Sequence, residues 1–412
     1  MRVQKCKGTR DLSPADMTKF RWVEAVFRDH SLKWGYEEVR TPTLEYLHLF
    51  TATGTLTPSM LGRVYSFLDW DGWSGERVVL RPDVTIPIAR LYIDGMSDRE
   101  LARLFYVANT FIFEETGKKN RERWQCGAEL IGAGSATADV ELIALATEAL
   151  RGLGIKKVDL KLSHAGLIKV LLKSFGLSAE EQTRIFDQIL DGDEAALARL
   201  KPAEPELAGV LPALLKRREK AADYLKEVRA KFNRHLVELG PSLDEVIDIV
   251  ELLESQGYSY ILDITSGTGF EYYTGVIFQF FAGGEKIGGG GRYDDLVSLL
   301  GGGDIPASGF ALYIDRLMGR VAMGTLAGSG AKRVSVKASP GVMKAAFTVA
   351  GLLREAGYVA EIDLGRPAPE RRGWTLSVRD KAPRFILTGP VKQQKFEADT
   401  ADEVIALLGK KG

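Results

Sequence analysis

The sequence predicts an α+β fold with a helical insertion and a small C-terminal α/β domain, and three observations carry the prediction. Residues 103–113 and 123–132 are strand-like runs flanking a polar loop, Glu114 to Glu122, the pattern of a hairpin with a long tip. From about 166 to 255 the character turns helical, before strand-like sequence returns over 258–282. Beyond the small-residue linker Leu326-Ala327-Gly328-Ser329-Gly330, short strand and helix patterns alternate, as in an α/β domain.

Taken in order, Ser13-Pro14-Ala15-Asp16 reads as a helix start, with a capping serine, proline at the first helical position and an acid in the first turn. Phe20, Val23 and Phe27 fall on one face, and Gly35 can end the helix. Residues 36–42 alternate and stop at Pro42, as an edge strand would. A helix is expected over 139–153, then a strand over Asp159 to Ser163 that runs into a helix at His164-Ala165-Gly166. Ser178-Ala179-Glu180-Glu181 is a capping box, and Ala195 to Leu200 continues in helical style, with Pro202, Pro205 and Pro212 as punctuation. Lys216-Arg217-Arg218-Glu219-Lys220 is a basic run on a helix, a pattern that is usually a solvated face. Gly283-Gly284 turns the strands of 258–282, and Gly288 to Gly291 places four glycines before Arg292. No lysine-serine or strand–glycine–helix context follows, so this is neither a P-loop nor a dinucleotide fingerprint. Either a flexible turn or close approach of backbone to a ligand accounts for it. Strands are expected over Val334 to Ala338, Val359 to Leu364 and Arg384 to Gly389, with a helix over Val342 to Ala356.

At 412 residues, two or three domains are expected. A hydrophobic share of 45% with 27% charged residues is ordinary for a globular protein. Zero net charge and a pI near 6.9 announce no nucleic-acid binding. Residues 331–412 carry 15 basic against 9 acidic residues, an excess that solubility explains as readily as RNA. Cys6 and Cys126 are far apart in sequence and define no disulfide framework, which fits a reducing cytoplasm. His30, His48, His164 and His235 lack metal-ligand spacing, and no metal or other cofactor is expected. No apolar run approaches the ~20 residues of a membrane span.

Five ordered segments carry a resemblance. They are Lys7-Gly8-Thr9-Arg10-Asp11 with Gly35 to Pro42; Leu80-Arg81-Pro82-Asp83-Val84-Thr85; Phe111 to Gly132 with Gln125, Gly127 and Glu129; Glu271-Tyr272-Tyr273-Thr274-Gly275 joined to Gly290-Gly291-Arg292-Tyr293-Asp294; and Gly309-Phe310-Ala311 with Arg316 behind it. In this order they resemble the histidyl-tRNA synthetase family, which includes non-catalytic relatives, the regulatory subunits of ATP phosphoribosyltransferase. The resemblance covers roughly residues 7–320. It implies a class II aminoacyl-tRNA synthetase-like core over 1–325, an antiparallel sheet flanked by helices. It also implies that 331–412 is a reduced form of the anticodon-binding domain, and that the 14–42 helix–strand unit makes a homodimer interface.

The departures from the family concern phosphate chemistry. The resemblance places an ATP-contacting arginine in the third motif and a second just before the Tyr-Tyr pair, and this sequence has Ile112 and Thr268 there. Removing one preorganised donor to a developing phosphate charge costs about 3–4 kcal/mol of transition-state stabilisation. The loop after Phe111 carries Glu115, Thr116 and Gly117 where the synthetases have Arg-Pro-Gln, and Lys118, Lys119 and Arg123 are further cations in it. Arg121 and Arg316 stand as a possible nucleotide-binding remnant. The amino-acid pocket, by contrast, is intact: Asp83, Thr85, Gln125, Glu129, Tyr273 and Tyr293 match positions that hold histidine in the family. Their chemistry suits that ligand, since carboxylates accept ammonium and imidazole N–H groups and tyrosines both stack and hydrogen-bond.

A pocket without activation chemistry implies a regulatory subunit with no catalytic residues of its own. The resemblance implies that it binds free histidine for feedback control and acts within a hetero-oligomer with a short-form ATP phosphoribosyltransferase catalytic subunit, with tRNA not expected as a partner. The alternative is a divergent histidyl-tRNA synthetase, which the C-terminal domain favours and the two missing arginines oppose. An RNA-binding module on the same fold would need a basic stripe that the sequence lacks.

Overall fold

The computed structural model describes residues 4–53, 62–69, 75–113, 120–190, 196, 199–200, 214, 216–231, 239–264, 272–321, 332–365, 373–391 and 394–410. Thr268, Glu271, Glu115 to Lys119, His235, Pro202, Pro205, Pro212 and the linker at 326–330 lie outside the described residues. Two compact units are present, Met1–Met323 and Gly324–Gly412.

The first unit opens with α1 (Pro14–Lys33), which begins as its sequence dictates. The Ser13 hydroxyl accepts from the Asp16 N–H at 3.2 Å, and the Asp16 carboxylate accepts from the Ser13 N–H at 3.0 Å, a reciprocal capping box. Gly35, at φ +78°, closes the helix end, and the Tyr36 N–H returns to the Ser31 carbonyl at 3.0 Å. Phe20, Val23 and Phe27 are buried within the chain itself, with Phe27 edge-on to Phe105 and Phe310 and Phe20 edge-on to Trp124. The strand expected over 36–42 shrinks to β1 (Glu37–Glu38), a two-residue parallel pairing with Leu104 and Phe105 at the edge of the sheet. A small sheet of β2 (Leu44–Tyr46), β3 (Ser66–Leu68) and β4 (Arg77–Leu80) follows, with α2 (Leu47–Ala52) after β2.

A helix absent from the sequence reading, α3 (Thr85–Gly95), grows out of the Leu80–Thr85 motif and buries Ile86, Ile88, Ala89 and Tyr92. Pro87 sits in its first turn, where the missing N–H costs nothing. The expected hairpin is β5 (Ala102–Phe111) and β6 (Glu122–Ile131), antiparallel from Ala102 opposite Ile131 to Phe111 opposite Glu122. Next come α4 (Ala136–Gly152), capped by Ser135, and β7 (Asp159–His164). The described helices of the insertion are α5 (Ala165–Ser174), α6 (Ala179–Leu190), α7 (Ala222–Lys231) and α8 (Leu239–Ser255), whereas Lys216 to Lys220, expected on a helix, is not helical and pairs through Arg218 with Leu262. The sheet resumes with β8 (Ile261–Leu262), β9 (Val276–Ala282) and β10 (Glu285–Arg292), then α9 (Asp295–Leu299), β11 (Ala307–Tyr313) and α10 (Ile314–Met318).

Among the described residues, eight strands form the main sheet in the order β1-β5-β6-β11-β10-β9-β7-β8. Only the outermost pairs, β1 with β5 and β7 with β8, are parallel. The glycine run 288–291 is therefore not a turn but the middle of β10, between β9 and β11. At residue 290 a Cβ would stand 2.0 Å from the Gly309 carbonyl oxygen, so a side chain is excluded by neighbouring backbone. One core lies where α3 and α9 meet the sheet, built on Leu104, Tyr106, Ile86, Ile88, Tyr92, Leu296 and Val297.

The second unit has a sheet ordered β13-β12-β14-β15-β16, from β12 (Arg333–Ala338), β13 (Val359–Ile362), β14 (Trp374–Val378), β15 (Phe385–Thr388) and β16 (Lys395–Ala398). The first three are mutually parallel and the last two antiparallel. Helices α11 (Met343–Glu355) and α12 (Ala401–Lys410) cover its core of Val334, Val336, Val349, Leu353, Leu376 and Leu387. β14, β16 and α12 are not legible as elements in the sequence.

Candidate functional site

The first-unit sheet and the start of α3 enclose a recess with about 540 Å³ of unoccupied space, part of it open to solvent. Asp83, Thr85, Gln125, Tyr273 and Tyr293 all line it, although they come from four separate segments of chain. Glu129, the sixth residue singled out in the sequence, sits directly behind this lining. It accepts a hydrogen bond from the Thr85 hydroxyl at 2.8 Å on one carboxylate oxygen and from the Tyr293 hydroxyl on the other.

Strand geometry explains the convergence. Gln125, Gly127 and Glu129 alternate along β6 and so share one face of the sheet. On the neighbouring strands, Tyr106 of β5 stands opposite Gly127, and Gly309 of β11 stands opposite Glu129. Both glycines are space for a functional group. A Cβ at 127 would meet the Tyr106 hydroxyl at 2.5 Å, and one at 309 would lie 1.7 Å from a Glu129 carboxylate oxygen. A Cβ at 291 would likewise strike the Tyr273 ring at 2.8 Å. Tyr272 stands edge-on to Tyr273 at 5.2 Å and to Tyr293 at 5.5 Å, forming an aromatic wall. Gln125 donates to the Tyr106 hydroxyl at 3.1 Å, which orients the amide. Asp83 accepts the Ile86 N–H at 2.9 Å, so the carboxylate is held at the amino-terminal end of α3.

The electrostatics follow from burial. Burial pushes the Glu129 carboxyl up to about 8, against the pull of the Tyr293 and Thr85 hydroxyls. It raises Asp83 to about 6, against three backbone N–H groups and Arg81. The Tyr106, Tyr272, Tyr273 and Tyr293 hydroxyls are pushed well above their usual range by burial first, and next by neighbouring carboxylates or, for Tyr273, by Tyr313, so they stay neutral donors. A buried, carboxylate-bearing and aromatic recess is chemically suited to a small cationic or zwitterionic ligand with an aromatic ring.

Two motif arginines serve the fold. Arg81 donates to the Thr41, Pro42 and Asn109 carbonyls at 2.9, 3.1 and 2.8 Å, tying the 41–42 segment to β5. Arg292 is buried against Asp139 of α4 and lies 2.5 Å from Glu245 of α8, whose second oxygen lies 3.1 Å from His164. Neither of the two remnant arginines belongs to the recess lining among the described residues. Arg121 stacks its guanidinium over Phe113 at 4.4 Å. Arg316 lies over Tyr313 at 5.1 Å and donates to the Lys286 carbonyl. Ile112 is half-buried, with its N–H donating to the Arg121 carbonyl at 2.9 Å.

Sequence reasoning missed Tyr106, Lys286 and Tyr313, and gave no role to Tyr272. For Tyr106 the signal was Gly127, a glycine inside a strand that marks close approach of another group, but naming that group needs the strand register. Among the described residues no cluster of three metal-ligating side chains occurs, and no helix is long and apolar enough to cross a membrane.

The sequence profile of the histidyl-tRNA synthetase family matches residues 8–317. An ATP phosphoribosyltransferase regulatory subunit from Dehalococcoides mccartyi is 49% identical over 406 residues, covering 98% of each chain. The histidine–tRNA ligase of Methanosarcina acetivorans is 36% identical over 328 residues, 77% of this chain and 75% of the ligase. Among solved structures, an ATP phosphoribosyltransferase regulatory subunit/histidyl-tRNA synthetase from Bacillus halodurans superimposes with a TM-score of 0.76 at 27% identity, covering 90% of this chain and 95% of that one. The fold is that of the class II aminoacyl-tRNA synthetases, a largely antiparallel sheet with a small α/β unit after it.

Proposed function

Because this chain belongs to the histidyl-tRNA synthetase family, in its group of ATP phosphoribosyltransferase regulatory subunits, we propose that it is the histidine sensor of a short-form ATP phosphoribosyltransferase in histidine biosynthesis. The observation that supports this reading best is the recess in which Asp83, Thr85, Gln125, Tyr273 and Tyr293 converge, with Glu129 bonded to two of them. The carboxylates receive the α-ammonium and an imidazole N–H of histidine, and the tyrosine wall takes the ring. The position of the family's third-motif arginine holds the half-buried Ile112, which supplies no charge to a phosphate, and we infer that histidine activation is absent.

Feedback then works as a shift between assemblies. Histidine inhibits only to the extent that it binds one state of the complex better than the other, with a coupling of about 1–3 kcal/mol typical of such devices. A homodimer through the 14–42 unit uses the outer face of α1 and the sheet edge at β1, since Phe20, Val23 and Phe27 are already buried inside the chain. The second unit is read as a reduced counterpart of the anticodon-binding domain, without a tRNA partner, and the assembly as cytoplasmic.

The test is a phosphoribosyltransferase assay on the short catalytic chain with and without this chain, each with and without histidine. Histidine inhibition that appears only with this chain present supports the reading. The second reading, a divergent synthetase, draws on the 36% identity to the archaeal ligase. Histidine-dependent exchange of pyrophosphate into ATP at about 1 s⁻¹ or more would establish it and remove the regulatory one.

A further inference from the structure

Histidine is a zwitterion, and the groups considered so far answer only its cationic end and its ring. Asp83 and Glu129 are acids, and the tyrosines and Gln125 are neutral. Among the described residues that line the recess, the cationic side chain is Lys286, half-buried near the start of β10.

Three features of the fold bring it there. The register of β10 against β9 shifts between Lys286 and Gly288, and such an irregularity re-aims a side chain relative to regular alternation. The lysine stem then lies across Gly289, which also lines the recess: a Cβ at 289 would stand 3.3 Å from Lys286 Cε. The peptide itself is held in place, because Arg316 donates to the Lys286 carbonyl and stacks over Tyr313, another lining residue.

We propose that the Lys286 ammonium receives the α-carboxylate of the bound amino acid and so makes the site selective for the intact zwitterion over its decarboxylated amine. The inference rests on the histidine reading of the recess and assigns it a residue that this reading does not contain. A lysine suits that role, because its compact ammonium on a flexible stem follows a carboxylate that enters and leaves with the ligand.

Isothermal calorimetry of the full chain with histidine and with histamine, which lacks only the carboxylate, tests it. Wild type is expected to bind histidine at least tenfold more tightly than histamine. Lys286→Met is expected to weaken histidine by about tenfold or more, the usual effect of a lost charged hydrogen bond, while histamine affinity stays within about twofold. Unchanged histamine binding also reports that the variant pocket is intact, and Lys286→Gln serves if the methionine variant does not fold. Equal losses for both ligands, or no loss for histidine, overturn the proposal and leave the sensor reading standing. Wild-type protein that binds neither ligand overturns both.

Discussion

Glu129 and Asp83 decide how the recess behaves, because each is a carboxyl that burial holds partly neutral near physiological pH. With Glu129 raised to about 8 and Asp83 to about 6, a cationic group can pair with them fully only after they lose their protons. Histidine binding should therefore strengthen as pH rises from 6 to 7.5, with protons released on binding. Calorimetry in buffers of different ionisation enthalpy reads both quantities, and affinity that falls over that range would count against the assignment. The stability linkage has a definite sign. A carboxyl whose folded pKa is raised contributes stability that is present below its unfolded value near 4.3 and lost as pH climbs through the folded value. In the absence of ligand, Glu129→Gln should thus gain thermal stability relative to wild type, with the gap widening from pH 5 to pH 8. Asp83→Ala or Glu129→Ala should each cost about 1.5–3 kcal/mol of histidine binding, and unchanged affinity in both would show that the ligand sits elsewhere.

At the scale of elements, the site depends on strands that pass unusually close to one another and to their own functional side chains. Gly127, Gly290, Gly291 and Gly309 each occupy a place where a Cβ would meet a neighbouring carbonyl, a tyrosine ring or a carboxylate. Gly290→Ala forces a methyl to within 2.0 Å of the Gly309 carbonyl, backbone that cannot swing aside. Its unfolding free energy in urea should fall by about 1–3 kcal/mol or more. Gly341→Ala, where an added Cβ meets nothing within 4 Å, is the matched control and should stay within about 0.5 kcal/mol of wild type. Equal stability of the two variants would contradict the close-approach account. The insertion joins the same element network, since Glu245 of α8 lies against both His164, the last residue of β7, and Arg292 at the end of β10, one residue before Tyr293.

For the whole molecule, the proposed sensor obeys reciprocity between its two partners. If histidine favours the inhibited assembly, it must change affinity for the active catalytic chain by the same factor by which that chain changes histidine affinity. Titrating the catalytic chain in the presence and absence of histidine, then histidine with and without the chain, should yield matching ratios. Ratios that are both equal to one would mean that histidine and the catalytic chain bind through uncoupled equilibria, and would remove the sensor reading.

The sequence alone determined the local chemistry. The capping box at Ser13 and Asp16, the Gly35 helix end, the 103–132 hairpin and the helical character of the insertion are set by residues within a few positions of each other, where backbone preference and hydrophobic period act directly. It also held the six pocket residues in recognisable motif order. Only the tertiary structure decided what those motifs do together. The pairing of β6 with β11 and of β11 with β10 joins segments more than 150 residues apart at its first step, and it places Glu129 behind Gly309 and beside Tyr293. The same pairing excluded a flexible turn for the glycine run and made it part of a central strand whose Gly289 and Gly290 line the recess, and it brought Lys286 there as well. Arg292, a member of the same motif as Tyr293, lies in a buried ion pair with Asp139. Register and desolvation are properties of packed neighbours, and neither is written in the spacing of residues along one chain.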